Sequence, residues 1–210
     1  MQTLTVTAEE PAREAPEAEE WVTTYSLSWD ATDDANLDDL FILDGEFFFN
    51  RVEGNGLAEL PGSPLGDFGA LYGPRMVAPF EVRTRVFAGA RGRRLPEFAV
   101  GALGARGYRL TVRASARALV LSRGTEDLAQ VPFRWQRDTW TTLSLRVEKA
   151  DAGLTLRGEA SQPGQAAVEL TFVDKDPPRA GRPAVWGRPF ASLPIQFDDL
   201  TVTRPASHAN

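Results

Sequence analysis

Apolar and polar side chains alternate one by one in segment after segment of this chain, and that period of two dictates what it can fold into. In FEVRTRVF, Phe80, Val82, Thr84 and Val86 fall on one side and Glu81, Arg83 and Arg85 on the other. GYRLTVRA sets Tyr108, Leu110 and Val112 against Arg109, Thr111 and Arg113. TTLSLRVE sets Leu143, Leu145 and Val147 against Ser144, Arg146 and Glu148, and LTLRGE and AVELTF repeat the pattern. Such alternation describes half-buried antiparallel strands. Turn-forming clusters (EGNG, PGSP, AGARG, SRG, ADAG, QPGQ, DKDPP) separate the segments, and no helical period is sustained beyond a turn or two. The expectation is an all-β chain of about twelve to fourteen strands, arranged as a two-sheet antiparallel jelly-roll sandwich.

A core of the necessary size is available, since 42% of the 210 residues are apolar and twelve are Phe and five Trp. One domain suits that length. Its limits follow from composition. EEPAREAPEAEE (Glu9–Glu20) is acidic and Pro/Ala-rich with no apolar face, so residues 1–20 read as a disordered leader. Residues 21–204 read as the sandwich and 205–210 as a tail. The net charge of −6 is uneven: residues 1–40 hold eleven acids and one base, and the remainder is mildly basic. Beyond RGRR (Arg91–Arg94) no dense basic run occurs, which argues against nucleic acid as a partner. No stretch is long and apolar enough to insert in a membrane. Cysteine is absent, which removes disulfides and thiolate metal sites. The opening MQTLTVTAEE lacks the form of a secretion signal, leaving export open, and the oligomeric state is not readable.

The alternation slips once, in LPIQFDDLTV. Ile195 and Phe197 are odd-numbered, Leu200 and Val202 even, and Asp198 and Asp199 stand at the change. One extra residue in a strand, a β-bulge, produces that slip. Two carboxylates gathered there have two readings. A hard cation such as calcium relieves their repulsion, with Asp30 of the Asp-rich segment SWDATDDANLDD (which also holds Asp33 and Asp34) lending oxygen if the first and last strands are neighbours. Alternatively the acids pair with the plentiful arginines. The Asp-rich segment is not an EF-hand loop, because its sixth position is Ala35 and its twelfth Phe41.

Catalytic chemistry finds few residues. The single histidine is His208, near the C-terminus, so Ser–His systems are missing. Glu81, Glu148, Glu159 and Glu169 lie on alternating faces among arginines, where cross-strand ion pairing is the plain reading and a hydrolytic pair the sharper one. Sugar binding requires an aromatic platform with polar neighbours. The candidates are Tyr72, Trp135, Trp186 and Phe190, whereas Trp140, Trp21 and Trp29 read as packing residues. Arg83, Arg85, Arg109, Arg113, Arg146 and Arg157, if they share one sheet, form a surface suited to carboxylate or sulfate groups; an ion-pair lattice with Glu81, Glu148 and Glu159 is the alternative.

Several segments in order carry a family resemblance: LDGEFFF (Leu43–Phe49), APFEVRTRVF, GYRLTV, DTWTTLSLRVE, GRPAVWG (Gly181–Gly187) and the closing FDDLTV. Together they resemble the concanavalin A-like lectin/glucanase superfamily, in particular its 3-keto-disaccharide hydrolase and LamG-like branch. The glucanase E-x-D-x-x-E strand is absent. The resemblance implies a non-catalytic carbohydrate-binding or adhesion module; structural calcium at Asp30, Asp198 and Asp199 is one of the two readings of the twin acids. Its glycan ligand would meet Tyr72, Arg83, Arg85, Arg109, Trp135, Arg146 and Trp186. It implies an extracellular or periplasmic location if a leader was removed. An enzyme of the hydrolase or lyase type and a structural module of a larger assembly are the other functions it leaves open.

Overall fold

The computed structural model describes residues 19–30, 37–62, 66–189 and 193–209. Most of the acidic leader, Asp33, Asp34 and Phe190 lie outside them. Fifteen strands form among the described residues, slightly more than the alternation suggests. They are β1 (Trp21–Leu27), β2 (Phe41–Asp44), β3 (Phe48–Val52), β4 (Asn55–Leu60), β5 (Phe68–Leu71), β6 (Phe80–Ala88), β7 (Glu97–Ala102) and β8 (Tyr108–Arg113). There follow β9 (Ala118–Arg123), β10 (Glu126–Pro132), β11 (Thr141–Ala150), β12 (Gly153–Ser161), β13 (Val168–Asp174), β14 (Ala184–Arg188) and β15 (Ile195–Pro205).

They build two antiparallel sheets. One runs β13-β12-β11-β6-β15-β4-β3, with β1 also paired to β15; the other runs β10-β9-β8-β7-β14-β5-β2. The chain changes layer at β1–β2, β2–β3, β4–β5, β5–β6, β6–β7, β10–β11, β13–β14 and β14–β15. Alternation explains the core: Phe80, Val82 and Val86 of β6 and Leu143, Leu145 and Val147 of β11 face Phe98 and Val100 of β7 and Leu110 and Val112 of β8, all essentially without exposed surface. Gly158 of β12 faces inward because Leu110 occupies its space; a Cβ there would stand 2.4 Å from Leu110 Cδ1.

One margin of the sandwich is fastened by polar groups. Asp174, almost buried at the end of β13, accepts hydrogen bonds through Oδ2 from Tyr108 Oη at 2.7 Å and Arg123 Nη1 at 2.5 Å. Both donors belong to the opposite sheet, so the carboxylate ties the two layers. The other margin is formed by β2 and β3, where Phe41 is 61% and Phe48 49% exposed.

The last strand continues through Pro205, the first residue assigned to the tail, and Ala206–His208 form a short 3-10 turn. Ala206 N–H donates to Glu20 O at 2.8 Å, which fixes the point where the leader joins the body.

Candidate functional site

The arginines divide between the two sheets. Arg83, Arg85, Arg146 and Arg157 face outward from β6, β11 and β12, whereas Arg109 and Arg113 face outward from β8 on the other side of the sandwich. The condition for a single arginine surface, that all six share one sheet, is not met, and there are two surfaces. On the first, Arg146 Nε pairs with Glu81 at 2.6 Å and Arg157 Nε with Glu148 at 3.1 Å; Arg146 also covers the Trp21 ring. This is the ion-pair lattice reading. Glu159 and Glu169 face each other across β12 and β13.

The second surface contains a groove of about 430 Å³. Its floor is small and closely packed: Ala99, Ala184 and Trp186 form an apolar cluster separate from the main core, with Leu43 and Leu71 against it. Trp186 lies over Gly69, where a Cβ would come within 2.2 Å of Cε3. Arg109 then caps the indole, its Cζ 3.3 Å from the ring centroid, a stacked cation–π contact worth about 0.5–2 kcal/mol. The same guanidinium reaches Asp67 Oδ2 at 2.8 Å through Nη1. Trp186 is only 7% exposed; it is a floor residue under Arg109 and not the open platform expected.

Around that floor each arginine meets an acid. Arg113 grips Asp127 through two bonds of 2.5 and 2.6 Å, the bidentate geometry that guanidinium favours. That hydrogen-bonded guanidinium holds the Asp127 carboxyl below its ordinary value. Arg188 stands 3.8 Å from Glu97. Thr111, Ser122 and Thr125 add hydroxyls between the pairs. Among the described residues, two buried donors of the floor, Trp186 Nε1 and Arg109 Nε, have no hydrogen-bond partner. The groove thus holds alternating fixed donors and acceptors with little net charge.

At Asp198 and Asp199 the bulge is present: the β15–β6 register shifts between Asp198 and Thr201. Asp199 takes a left-handed φ of 49° to make it. Thr84, the one polar residue on the inward face of β6, donates its hydroxyl to the Asp198 carbonyl at 3.1 Å, satisfying an oxygen that the irregular ladder releases. Asp198 is wholly buried. Its Oδ2 accepts from Arg85 Nη2 at 2.6 Å and Asn55 Nδ2 at 2.9 Å, and its Oδ1 from the Asp199 amide at 2.8 Å. Arg85 Nε pairs with Asp199 at 2.7 Å. One guanidinium therefore stands where a cation would bridge the two acids. Asp30 instead caps the Gly56 amide at 3.0 Å and accepts from Ser28. Among the described residues no three acids or histidines surround a common point, and the donor set at Asp30, Asp198 and Asp199 does not fit calcium. Burial first, then the neighbouring Asp198 charge, raises the Asp199 carboxyl above its ordinary value, against the lowering effect of Arg85.

The remaining candidates separate. Tyr72 is a core residue with no exposed surface, tilted against Tyr25 at 6.2 Å; burial pushes its hydroxyl pKa far up, and it offers no face to a ligand. Trp135 is half-buried, edge-on to Phe98 at 6.1 Å, at an end of the sandwich away from Trp186. Trp140, expected in the core, is half-buried beside Phe87 and beneath Arg85, on the outer face of the first sheet. Asp67, Glu97, Thr111, Ser122 and Asp127 of the groove were not singled out by the sequence. The hairpin SRGTED does signal Asp127, since a tight turn at Gly124 sets it opposite Ser122.

No family model matches the sequence, and no curated protein matches it. Solved structures do. The carbohydrate binding module CBM66 from Bacillus subtilis is 12% identical, covering 79% of this chain and 96% of its own, with a TM-score of 0.56. Lectin I-B4 from Griffonia simplicifolia, in a metal-free form, is 11% identical over 86% and 99%, with a TM-score of 0.60. Lectin UEA-II, complexed with galactose, is 10% identical over 87% and 100%, with a TM-score of 0.62. At such identities the likeness establishes architecture: the chain has a two-sheet jelly-roll sandwich like those of these neighbours.

Proposed function

We propose that this protein is a glycan-binding module and that its binding surface is the groove on the outer face of the β10–β2 sheet. The observation that carries this reading is the pairing of arginines with carboxylates, interspersed with hydroxyls, over an apolar floor. A sugar hydroxyl both donates and accepts, so a surface presenting both functions at fixed spacing suits it. The shared architecture with lectins and a carbohydrate binding module agrees with this reading. The order of the strand motifs supports placing the chain near the LamG-like branch. An extracellular or periplasmic setting goes with the same reading.

Binding is favoured over hydrolysis. Glycoside cleavage needs one carboxyl held protonated near neutrality. Among the groove carboxylates, Asp127 is held below its ordinary value by the Arg113 guanidinium, the opposite of what a general acid needs. A glycan array probed with the full chain tests the proposal. Binding to a defined glycan that is lost in Thr111→Trp, which fills the groove, is expected. Silence across neutral and acidic glycans overturns it, as does binding that ignores the filled groove. Release of reducing sugar from a polysaccharide panel would favour the enzyme instead.

A further inference from the structure

Positive charge is concentrated at one end of the sandwich, apart from the groove. The loops 89–96, 114–117 and 133–140 meet there. They are tied by Phe133 N–H to Arg117 O at 2.9 Å, Asp138 N–H to Ala88 O at 3.0 Å, and Arg137 Nη1 to Ala90 O at 3.2 Å. They carry Arg91, Arg93, Arg94, Arg117, Arg134 and Arg137 against a single acid, Asp138. Linear reading hides this cluster, because only Arg91–Arg94 are close in sequence.

The loops enclose a pocket of about 410 Å³, lined by Leu95, Ala114, Arg117, Arg134, Trp135 and Arg137 and by no acid. On the sheets, Arg85, Arg109, Arg113 and Arg146 are paired with carboxylates; among the described residues Arg117, Arg134 and Arg137 form no ion pair. Trp135 is held at the pocket wall by its edge-on contact with Phe98.

We propose that this pocket binds the sulfate or carboxylate group of an anionic saccharide. The guanidinium forks take the oxyanion, and the Trp135 ring takes the C–H face of the sugar that bears it. This site is separate from the groove and does not depend on what the groove binds. A nucleic acid strand calls for cations and several rings spaced along a track, whereas these arginines converge on one cavity with one indole. The protein's own acidic leader is a poor occupant. It joins the body at Glu20 beside Ala206, whereas the pocket lies at the other end of β15, where Ile195 pairs with Ala88. The eleven residues of β15 put about 35 Å between the two points, so Glu9 and Glu10 reach it only with the chain drawn out straight.

The test uses the full chain with three probes: sulfated dextran oligosaccharide, oligogalacturonate and unmodified dextran. Titration calorimetry at low and high salt is expected to show one anionic probe bound at least about tenfold more tightly than dextran, weakening as salt rises. Which anionic probe wins distinguishes sulfate from carboxylate. The double variant Arg117→Gln/Arg134→Gln is expected to lose about tenfold or more of that affinity. The control Arg83→Gln/Arg157→Gln, which removes the same charge elsewhere, is expected to keep it. Phenylglyoxal labelling read by mass spectrometry gives a measurement without substitution, and bound probe is expected to protect Arg117 and Arg134. Equal loss in both double variants, or no protection, overturns the site. A mixed-sequence oligonucleotide of equal charge binding as tightly at the same arginines overturns the saccharide assignment. Binding that emerges only when residues 1–18 are removed makes the leader the occupant.

Discussion

Replacing Arg85 with Gln tests whether the twin acids of the last strand are neutralised by a side chain or by a metal. Asp198 is fully buried while Arg85 is 39% exposed, so the pair sits at the edge of the low-dielectric interior. Two unit charges about 4 Å apart attract by about 4 kcal/mol at an effective dielectric constant of about 20. Exposure of the guanidinium reduces that to about 2. Losing the half-exposed Asp199 pair and the contact with the Trp140 ring, 4.9 Å away, adds at most about 1 kcal/mol. The expected destabilisation is about 3 kcal/mol, and Asn55 and the Asp199 amide remain to solvate Asp198. For a chain of this size that corresponds to a fall in Tm of about 6–12 °C. Thermal melts of the parent, Arg85→Gln, Asp198→Asn and the double variant measure it. The double variant is expected to recover much of the loss, because the buried charge then vanishes with its partner. Calcium and chelator are expected to leave the parent unchanged, since only a ligand that binds the folded state raises Tm. A parent stabilised by calcium, together with an Arg85→Gln variant that loses less than about 1 kcal/mol, would refute the reasoning.

Three further outcomes are expected. Tyr108→Phe removes one donor from the nearly buried Asp174 carboxylate and is expected to cost about 1–3 kcal/mol in denaturant melts, with Arg123→Gln no cheaper. Gly69→Ala forces the Trp186 ring upward by overlap at 2.2 Å and is expected to destabilise by about 1–3 kcal/mol, changing near-UV circular dichroism and weakening whatever glycan the groove binds. The pH dependence of stability is expected to differ for two aspartates. The Asp127 carboxyl lies below its ordinary 3.8, so its stabilisation is present above that pH and is lost as pH falls through the depressed value. The Asp199 carboxyl lies above 3.8, so the folded chain gains by its protonation and loses that gain as pH rises through the raised value. Both side chains are about half exposed, which limits each effect to less than about 1 kcal/mol. Asp127→Asn should destabilise near neutrality and converge with the parent only once pH has fallen through the depressed value. Asp199→Asn, which also suits a left-handed φ, should stabilise near neutrality.

Facing was legible in the sequence wherever alternation held: Phe80, Val82, Tyr108, Leu110, Leu143 and Val147 are all buried as their period requires. The bulge was legible for the same reason, because a slip in facing is a local signal. Sheet membership was not. Nothing within FEVRTRVF or GYRLTVR says that β6 and β8 belong to different layers; long-range pairing decides that, and it parted Arg85 from Arg109. Tyr72 lies just beyond β5, where no period exists to mark it as inward. Trp186 does point away from Val185, as alternation demands, but the outer face it joins is closed by Arg109 reaching across β7 from β8. The end pocket was invisible because its lining residues come from three loops that only the folded chain assembles.

The Tyr108–Asp174–Arg123 fastening has a mechanical consequence. With the layers clamped along the β10 and β13 side and the opposite side resting on solvent-facing Phe41 and Phe48, the sandwich should part like a book held at its spine. Amide protons in β2 and β3 would then trade with solvent long before those in β8, β9 and β12, and fraying would begin on the unbound side, leaving the fastened side as the last to yield.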